Sequence, residues 1–237
     1  MPKYDVVLLD ADDTLFDFQR SEREALCRVL AQRGYPTDGE TLALYHRING
    51  ALWDANARGE IDQDFLTVER FAAFMRVKGG DWDPRRFNRD YLQALGEAGH
   101  LLPGAEAFCC ALRAGGCQLA IVTNGLPVAQ WGRLDRSPLK PLISRMFVSM
   151  ELGCQKPQPE YFDRVCAELG ITDRSRAVVM GDSLNSDIRG GLNAGIDTIW
   201  YAPGGEQPPG YPRPTYTVRS YEEALELLLG KIQQADT

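Results

Sequence analysis

Two carboxylates two residues apart, Asp10 and Asp12, end the apolar run Val6-Val7-Leu8-Leu9 and open the segment Asp10-Ala11-Asp12-Asp13-Thr14-Leu15. On an extended backbone, side chains two apart leave the same face. Carboxylates crowded there repel, and burial alone would keep them neutral. A hard divalent cation such as Mg2+ removes that penalty and prefers oxygen ligands. The spacing therefore points to metal-assisted chemistry by an acidic pair. Taken alone, an Asp at a strand end also serves as a helix cap or turn former.

Three further segments carry matching chemistry. Ile121-Val122-Thr123-Asn124-Gly125 ends an apolar run in a hydroxyl, an amide and a glycine. The Thr hydroxyl and exposed backbone N–H groups there can donate to phosphoryl oxygens. In Gln155-Lys156-Pro157-Gln158-Pro159, Pro157 biases Lys156 to an extended conformation and Pro159 can start a helix, so a lysine is fixed at a helix entrance. In Val178-Val179-Met180-Gly181-Asp182-Ser183-Leu184-Asn185-Ser186-Asp187, another apolar run ends in Gly-Asp and a second Asp follows. Gly181 permits close approach of the backbone, and Asp182 can share a cation with Asp10. Singly, these segments read equally well as a turn, a solvated lysine and a carboxylate at a helix start.

The elements that must position these residues follow from periodicity. A short apolar run ending in carboxylates reads as a buried parallel strand, which presents its last residues at the carboxyl edge of a sheet, where open α/β folds bind ligands. After Leu15 the period becomes helical. Ser21 to Glu24 fits a capping box with Ser21 as N-cap, and Thr37 to Glu40 offers a second. Phe65, Val68, Phe71, Ala72 and Met75 form a third stripe, and Asp83-Pro84 opens a fourth helix carrying Phe87, Tyr91 and Leu95. Residues 16–95 thus read as consecutive helices, a small bundle. From Pro103 helices and strands alternate. Strands are expected at 117–122, 146–150, 177–180, 198–201 and 215–218, with helices at 103–112, around Trp131, and at 159–169, 187–194 and 221–229. Strands separated by helices imply right-handed crossovers. The expected fold is α/β: a Rossmann-like parallel sheet with helices on both faces, plus a small all-helical cap inserted after the first strand. Residues 1–15 and 96–237 would form the core and 16–95 the cap domain.

The net charge of −7, without a block of Lys or Arg, disfavours a nucleic acid polymer or an anionic membrane surface as partner. The six cysteines have no C-x-x-C spacing and there are only two histidines, so a zinc site is not expected. Reduced thiols, a start that runs from Met1-Pro2-Lys3-Tyr4 straight into a strand, and no apolar run long enough to span a bilayer lead to the expectation of a cytoplasmic protein. A small phosphorylated metabolite stays open as partner, because a local cation can overcome the global sign, and the expected assembly is a monomer or weak homodimer.

In order and spacing the four segments resemble the motifs of the haloacid dehalogenase superfamily of aspartate-nucleophile hydrolases. Asp10 to Thr14 looks like the first motif, Thr123-Asn124 the second, Lys156 the third, and Gly181-Asp182 with Asp187 the fourth. The resemblance covers essentially the whole chain, including the insertion point of the family's helical cap. It implies a catalytic group of Asp10, Asp12, Thr123 and Lys156. Asp10 would attack phosphorus and form an aspartyl-phosphate. Asp12 would protonate the leaving oxygen and then activate water. Mg2+ would be bound by Asp10, the backbone carbonyl of Asp12, and Asp182. Asp187 would help hold Lys156 or a water on the metal. Lys156 would balance the charge of nucleophile and phosphate, and Thr123 with Asn124 would hold the phosphoryl oxygens. Thr14 and Asn185 would support the site.

Dehalogenating members lack the second Asp, because a halide leaves without a proton, so Asp12 favours a phosphatase. The wording around Asp12, Gly181 and Gly190 resembles the pyrimidine-type 5′-nucleotidase branch, which implies a nucleoside 5′-monophosphate. The alternative substrates are a small sugar phosphate or phosphoglycolate. Phe16 and Phe18, at the junction of core and cap, are the expected base contacts. Trp53, Phe65 and Trp82 either stack on a base or fill the cap core. Outside enzymology, the same fold could serve a regulatory or binding protein, and loss of a motif residue would mark it.

Overall fold

The run Val6–Leu9 is buried throughout, which requires helices on both faces of its sheet. The computed structural model describes residues 2–230. In it this run is strand β1 of a sheet completed by β2 (Gln118–Thr123), β3 (Arg145–Val148), β4 (Ala177–Gly181), β5 (Asp197–Tyr201) and β6 (Tyr216–Val218). Every pairing is parallel, and the order is β3-β2-β1-β4-β5-β6. The chain builds outward from β1 in one direction and then in the other. The switch point, where such sheets leave a crevice, therefore lies at the carboxyl ends of β1, β2 and β4.

Helix α1 (Phe18–Ala31), α2 (Gly39–Ala57), α3 (Gln63–Lys78) and α4 (Pro84–Glu97) follow β1 without an intervening strand. Around the sheet come α5 (Ala105–Ala114), α6 (Pro127–Asp135), α7 (Ser149–Leu152), α8 (Pro159–Leu169), α9 (Arg189–Asn193) and α10 (Tyr221–Leu229). Alternate residues of β1 point to opposite layers. Val7 and Leu9 pack with Phe108 of α5 and Tyr221 of α10. Val6 and Leu8 pack with Tyr161, Phe162 and Val165 of α8. Among the described residues no helix is long and apolar enough to cross a membrane.

The four helices after β1 have their own core of Leu26, Tyr45, Phe71, Phe74, Phe87 and Tyr91, joined by Leu126 and Ala129 at α6. Phe71 stacks on Phe87 with centroids 4.2 Å apart. The segments entering and leaving these helices lie side by side: the Asp17 amide donates to the His100 carbonyl (3.0 Å), and the Leu102 amide to that of Leu15 (2.9 Å).

Several boundaries differ from expectation for local reasons. Asp17, not Ser21, caps α1 by accepting from the Arg20 amide, while the Ser21 hydroxyl donates to the Asp17 carbonyl within the first turn. Asp38 caps α2 in the same way through the Thr41 amide. The strand expected over 146–150 ends at Val148, where the chain turns into α7. The helix expected over 187–194 begins as a π-helical turn, Leu184–Ile188, and continues as α9. The fourth helix runs past 95 to Glu97.

Helix α6 meets α4 at a glycine pair. A Cβ on Gly132 would stand 2.9 Å from the Gly96 Cα and carbonyl oxygen, both of them backbone. Gly132→Ala is therefore expected to cost about 1–3 kcal/mol by overpacking. A thermal melt checks this, and an unchanged midpoint would refute the tight crossing.

Candidate active site

The carboxyl ends of β1, β2 and β4 deliver Asp10, Thr123 and Asp182 to one cavity of about 440 Å³, which Asp12, Asn124, Lys156 and Asp187 also line. At its base Lys156 is almost fully buried and spends all three ammonium donors. Its Nζ donates to Asp10 Oδ1 (2.6 Å), Asp187 Oδ1 (2.6 Å) and the Val122 carbonyl (2.8 Å). Burial disfavours the ammonium, but the two carboxylates outweigh it and hold its pKa above the ordinary lysine value. The Asn124 side chain fixes the lysine's backbone: Nδ2 donates to the Lys156 carbonyl (2.8 Å), and Oδ1 accepts from its amide (3.0 Å). Buried Thr123 Oγ1 accepts from the Gly125 amide at 3.0 Å.

Asp187 reaches this centre from the π-helical turn, a device common at functional sites. Its Oδ2 accepts from the Ser183 amide at 3.1 Å, so both of its oxygens are committed. Gly181 must be glycine here, because a Cβ would lie 2.3 Å from Asp187 Oδ2. Thr14 ties two loops together. Its Oγ1 accepts from the Asp182 amide (3.1 Å), and its carbonyl accepts from the Tyr221 hydroxyl (2.6 Å). Asp13, at φ 56°, takes the left-handed turn that short acidic side chains tolerate, and its Oδ1 accepts from the Phe18 amide (3.2 Å).

Oxygens of Asp10, Asp182 and Asp187 lie within 4.8 Å of one another. Burial, and then the neighbouring carboxylates acting against Lys156, push the Asp10 carboxyl up to about 7. Burial and the charges of Asp10, Asp187 and Asp13 push Asp182 up to about 9. The second oxygen of Asp10 and both of Asp182 accept no hydrogen bond among the described residues. An all-oxygen, carboxylate-rich donor set that one ammonium does not neutralise fits a hard divalent cation.

Asp12 stands apart from this cluster. Its Oδ2 accepts from Gln130 Nε2 (2.8 Å) and its Oδ1 from Arg133 Nη2 (2.5 Å). Phe18 lines the cavity, as does Trp53. Two expectations are corrected. Phe16 is 1% exposed, belongs to the core cluster and does not reach the cavity. It is held inward because its backbone pairs with Leu101. Asn185 is exposed on the outer side of the π-helical turn and is not in the cavity lining. Phe65 and Trp82 lie outside the cavity as well.

Sequence reasoning missed Gln130 and Arg133, and also a polar wall contributed by α1, α2, α3 and α4. There Asn49 Nδ2 and the Tyr91 hydroxyl both donate to Glu22 Oε1 (3.3 Å each). Arg70 Nε donates to Asn88 Oδ1 (3.0 Å), with its guanidinium carbon 4.8 Å over the Tyr91 ring. Asn49, Arg70 and Tyr91 line the cavity. The available signal was an arginine inside the apolar stripe of α3, and a Gln and an Arg three apart on α6.

A parallel sheet with this order, a helical insertion after β1, and acidic, lysine and threonine side chains at one switch point define a hydrolase of the haloacid dehalogenase type. The family model described as haloacid dehalogenase-like hydrolase matches residues 4–195, and the chain belongs to that family. Among curated relatives, the HAD-hydrolase YfnB of Bacillus subtilis is 35% identical, over 96% of this chain and 97% of its own. The pyrimidine 5′-nucleotidase PynA of Streptococcus pneumoniae is 33% identical over 95% of each chain. The pyrimidine 5′-nucleotidase YjjG of Escherichia coli is 34% identical over 95% of this chain and 98% of its own. The solved structure of YfnB, described as bound to magnesium and as revealing interdomain movement, superposes with a TM-score of 0.88 over 95% of this chain and 99% of that one.

Proposed function

We propose that this protein is a Mg2+-dependent phosphomonoester hydrolase that works through an aspartyl-phosphate and acts on nucleoside 5′-monophosphates. The observation that supports it best is the meeting of Asp10, Lys156, Asp182 and Asp187 beneath a cavity that also holds Asp12. Two relatives named as pyrimidine 5′-nucleotidases, similar over nearly the whole chain, favour the nucleotide. A volume of about 440 Å³ is in the range of small-molecule sites.

In this reading Asp10 and Asp182, with the Asp12 backbone carbonyl, hold Mg2+, which when bound offsets carboxylate and phosphate charge. Asp10 attacks phosphorus and forms an acyl phosphate as the bond to the ester oxygen breaks. Asp12 gives its proton to that oxygen, and the nucleoside leaves. Water then attacks phosphorus, Asp12 takes the water's proton, and Asp10 is regenerated with release of phosphate. Lys156 keeps Asp10 oriented and balances its charge. Thr123 and the Asn124 backbone hold the phosphoryl oxygens, and Asp187 holds Lys156.

The test is a screen of phosphorylated metabolites with Mg2+, comparing pyrimidine nucleotides with sugar phosphates and phosphoglycolate. The base would stack against Phe18, the cavity-lining aromatic at the junction. Phe18→Ala is therefore expected to cut kcat/KM for uridine 5′-monophosphate by about 10-fold, the scale of one lost base–aromatic stack. The loss on 4-nitrophenyl phosphate should be smaller. Equal losses on both esters would remove Phe18 from base recognition.

A further inference from the structure

Helix α6 carries Gln130 and Arg133 three residues apart, on the face that meets the cavity. Both side chains are essentially buried, Gln130 at 1% and Arg133 at 0% exposure. Each donates to a different oxygen of Asp12, at 2.8 and 2.5 Å. Two donors on the two oxygens of one short carboxylate fix both its reach and its plane. The guanidinium is backed by aromatic rings, its central carbon 5.1 Å from the Phe16 centroid and 5.8 Å from that of Phe18. The helix is fixed in turn by the close crossing of Gly132 on Gly96.

Fold stability does not account for this arrangement. Nε and Nη1 of Arg133 and Oε1 of Gln130 are buried without a hydrogen-bond partner. Leaving such groups unsatisfied is unfavourable, and an apolar side chain of similar volume would fill the space without that cost. What the pair provides is a fixed Asp12.

We propose that Gln130 and Arg133 are positioning residues for Asp12, holding its carboxyl where it meets the ester oxygen and the attacking water. This rests on the phosphatase reading above. Neither residue needs to touch substrate. Their removal should therefore lower turnover and leave substrate binding alone. A general acid–base displaced by about 1 Å loses about 10²-fold in rate.

A double-mutant cycle read by steady-state kinetics with Mg2+, on 4-nitrophenyl phosphate and uridine 5′-monophosphate, tests this. Arg133→Met is expected to lower kcat about 10²-fold with KM within about twofold, and Gln130→Leu about 10-fold. Arg133→Lys, which keeps one donor, should fall between wild type and Arg133→Met. In an Asp12→Ala background the same substitutions should cost less than about threefold, because no carboxyl is left to position. Equal losses in both backgrounds would overturn the proposal. So would a rise in KM at unchanged kcat, which would make Arg133 a substrate contact. If circular dichroism shows that Arg133→Met does not fold, the Gln130→Leu cycle decides alone by the same criteria. A wild type inert toward both esters ends the phosphatase reading and the proposal with it. An active wild type with an additive cycle ends the proposal only.

Discussion

Asp10→Asn is expected to lower Mg2+-dependent phosphate release by about 10⁴-fold or more, the scale seen when a covalent nucleophile is removed. An amide oxygen is a poor nucleophile toward phosphorus, and of the neighbouring carboxylates Asp182 is, in the proposed arrangement, engaged with Mg2+. Asp187 has both oxygens committed to Lys156 and the Ser183 amide. Asp12 is held away by Gln130 and Arg133. The substitution is nearly isosteric and removes one of several crowded carboxylates, so the thermal midpoint should hold or rise. Phosphate release assayed beside a melt separates lost chemistry from lost folding. Activity within 10-fold of wild type would contradict the role of Asp10.

Lys156→Met is expected to harm both stability and activity. The ammonium is the cation that contacts Asp10 and Asp187, and its side chain is 1% exposed. Removing one member of a buried ionic group leaves the others uncompensated, at about 3–5 kcal/mol. For a chain of this size that corresponds to a fall of about 6–20 °C in Tm. Uptake of protons by the carboxylates limits the loss without abolishing it. Phosphate release should also fall by at least about 10²-fold, since a preorganised charge beside the reacting group is lost. Added Mg2+ should recover part of the midpoint in Lys156→Met by neutralising the same carboxylates. A variant as stable as wild type without Mg2+ would mean that the lysine does not balance this cluster.

Much of this architecture was legible because local chemistry and tertiary position agree. The helices at Pro159–Leu169 and Tyr221–Leu229 begin at a proline and after a serine cap, and end at glycines, as expected from sequence. Asp10, Thr123 and Asp182 could be assembled because each lies at or just beyond the end of a buried strand, and the parallel sheet gathers those ends. Lys156, beyond α7, and Asp187, in the π-helical turn, lie on the loops that continue from two such ends. Where the signal lay off the strands it weakened. Phe18 to Arg20 carry no apolar period, so the sequence points to Ser21 as the start of α1, although Asp17 is an equally good cap. Phe16 and Phe18 look alike in sequence, yet pairing with Leu101 turns Phe16 into the core. Asn185 lies in a π-helical turn that faces Asp187 inward and leaves the asparagine exposed. Arg70, Gln130 and Arg133 went unread because a charged residue on an apolar helix face has no partner until the fold supplies one. Arg70 finds Asn88 on a neighbouring helix, and Arg133 finds Asp12 across 121 positions of chain.

Whether Asp10 carries the phosphoryl group is decided by mass spectrometry of peptides from enzyme quenched in acid during turnover with Mg2+. The expected result is a phosphate adduct on the peptide holding Asp10, present in wild type, enriched in Asp12→Ala and absent in Asp10→Asn. An active enzyme with no adduct there under any of these conditions, or with one on a different side chain, would contradict the mechanism.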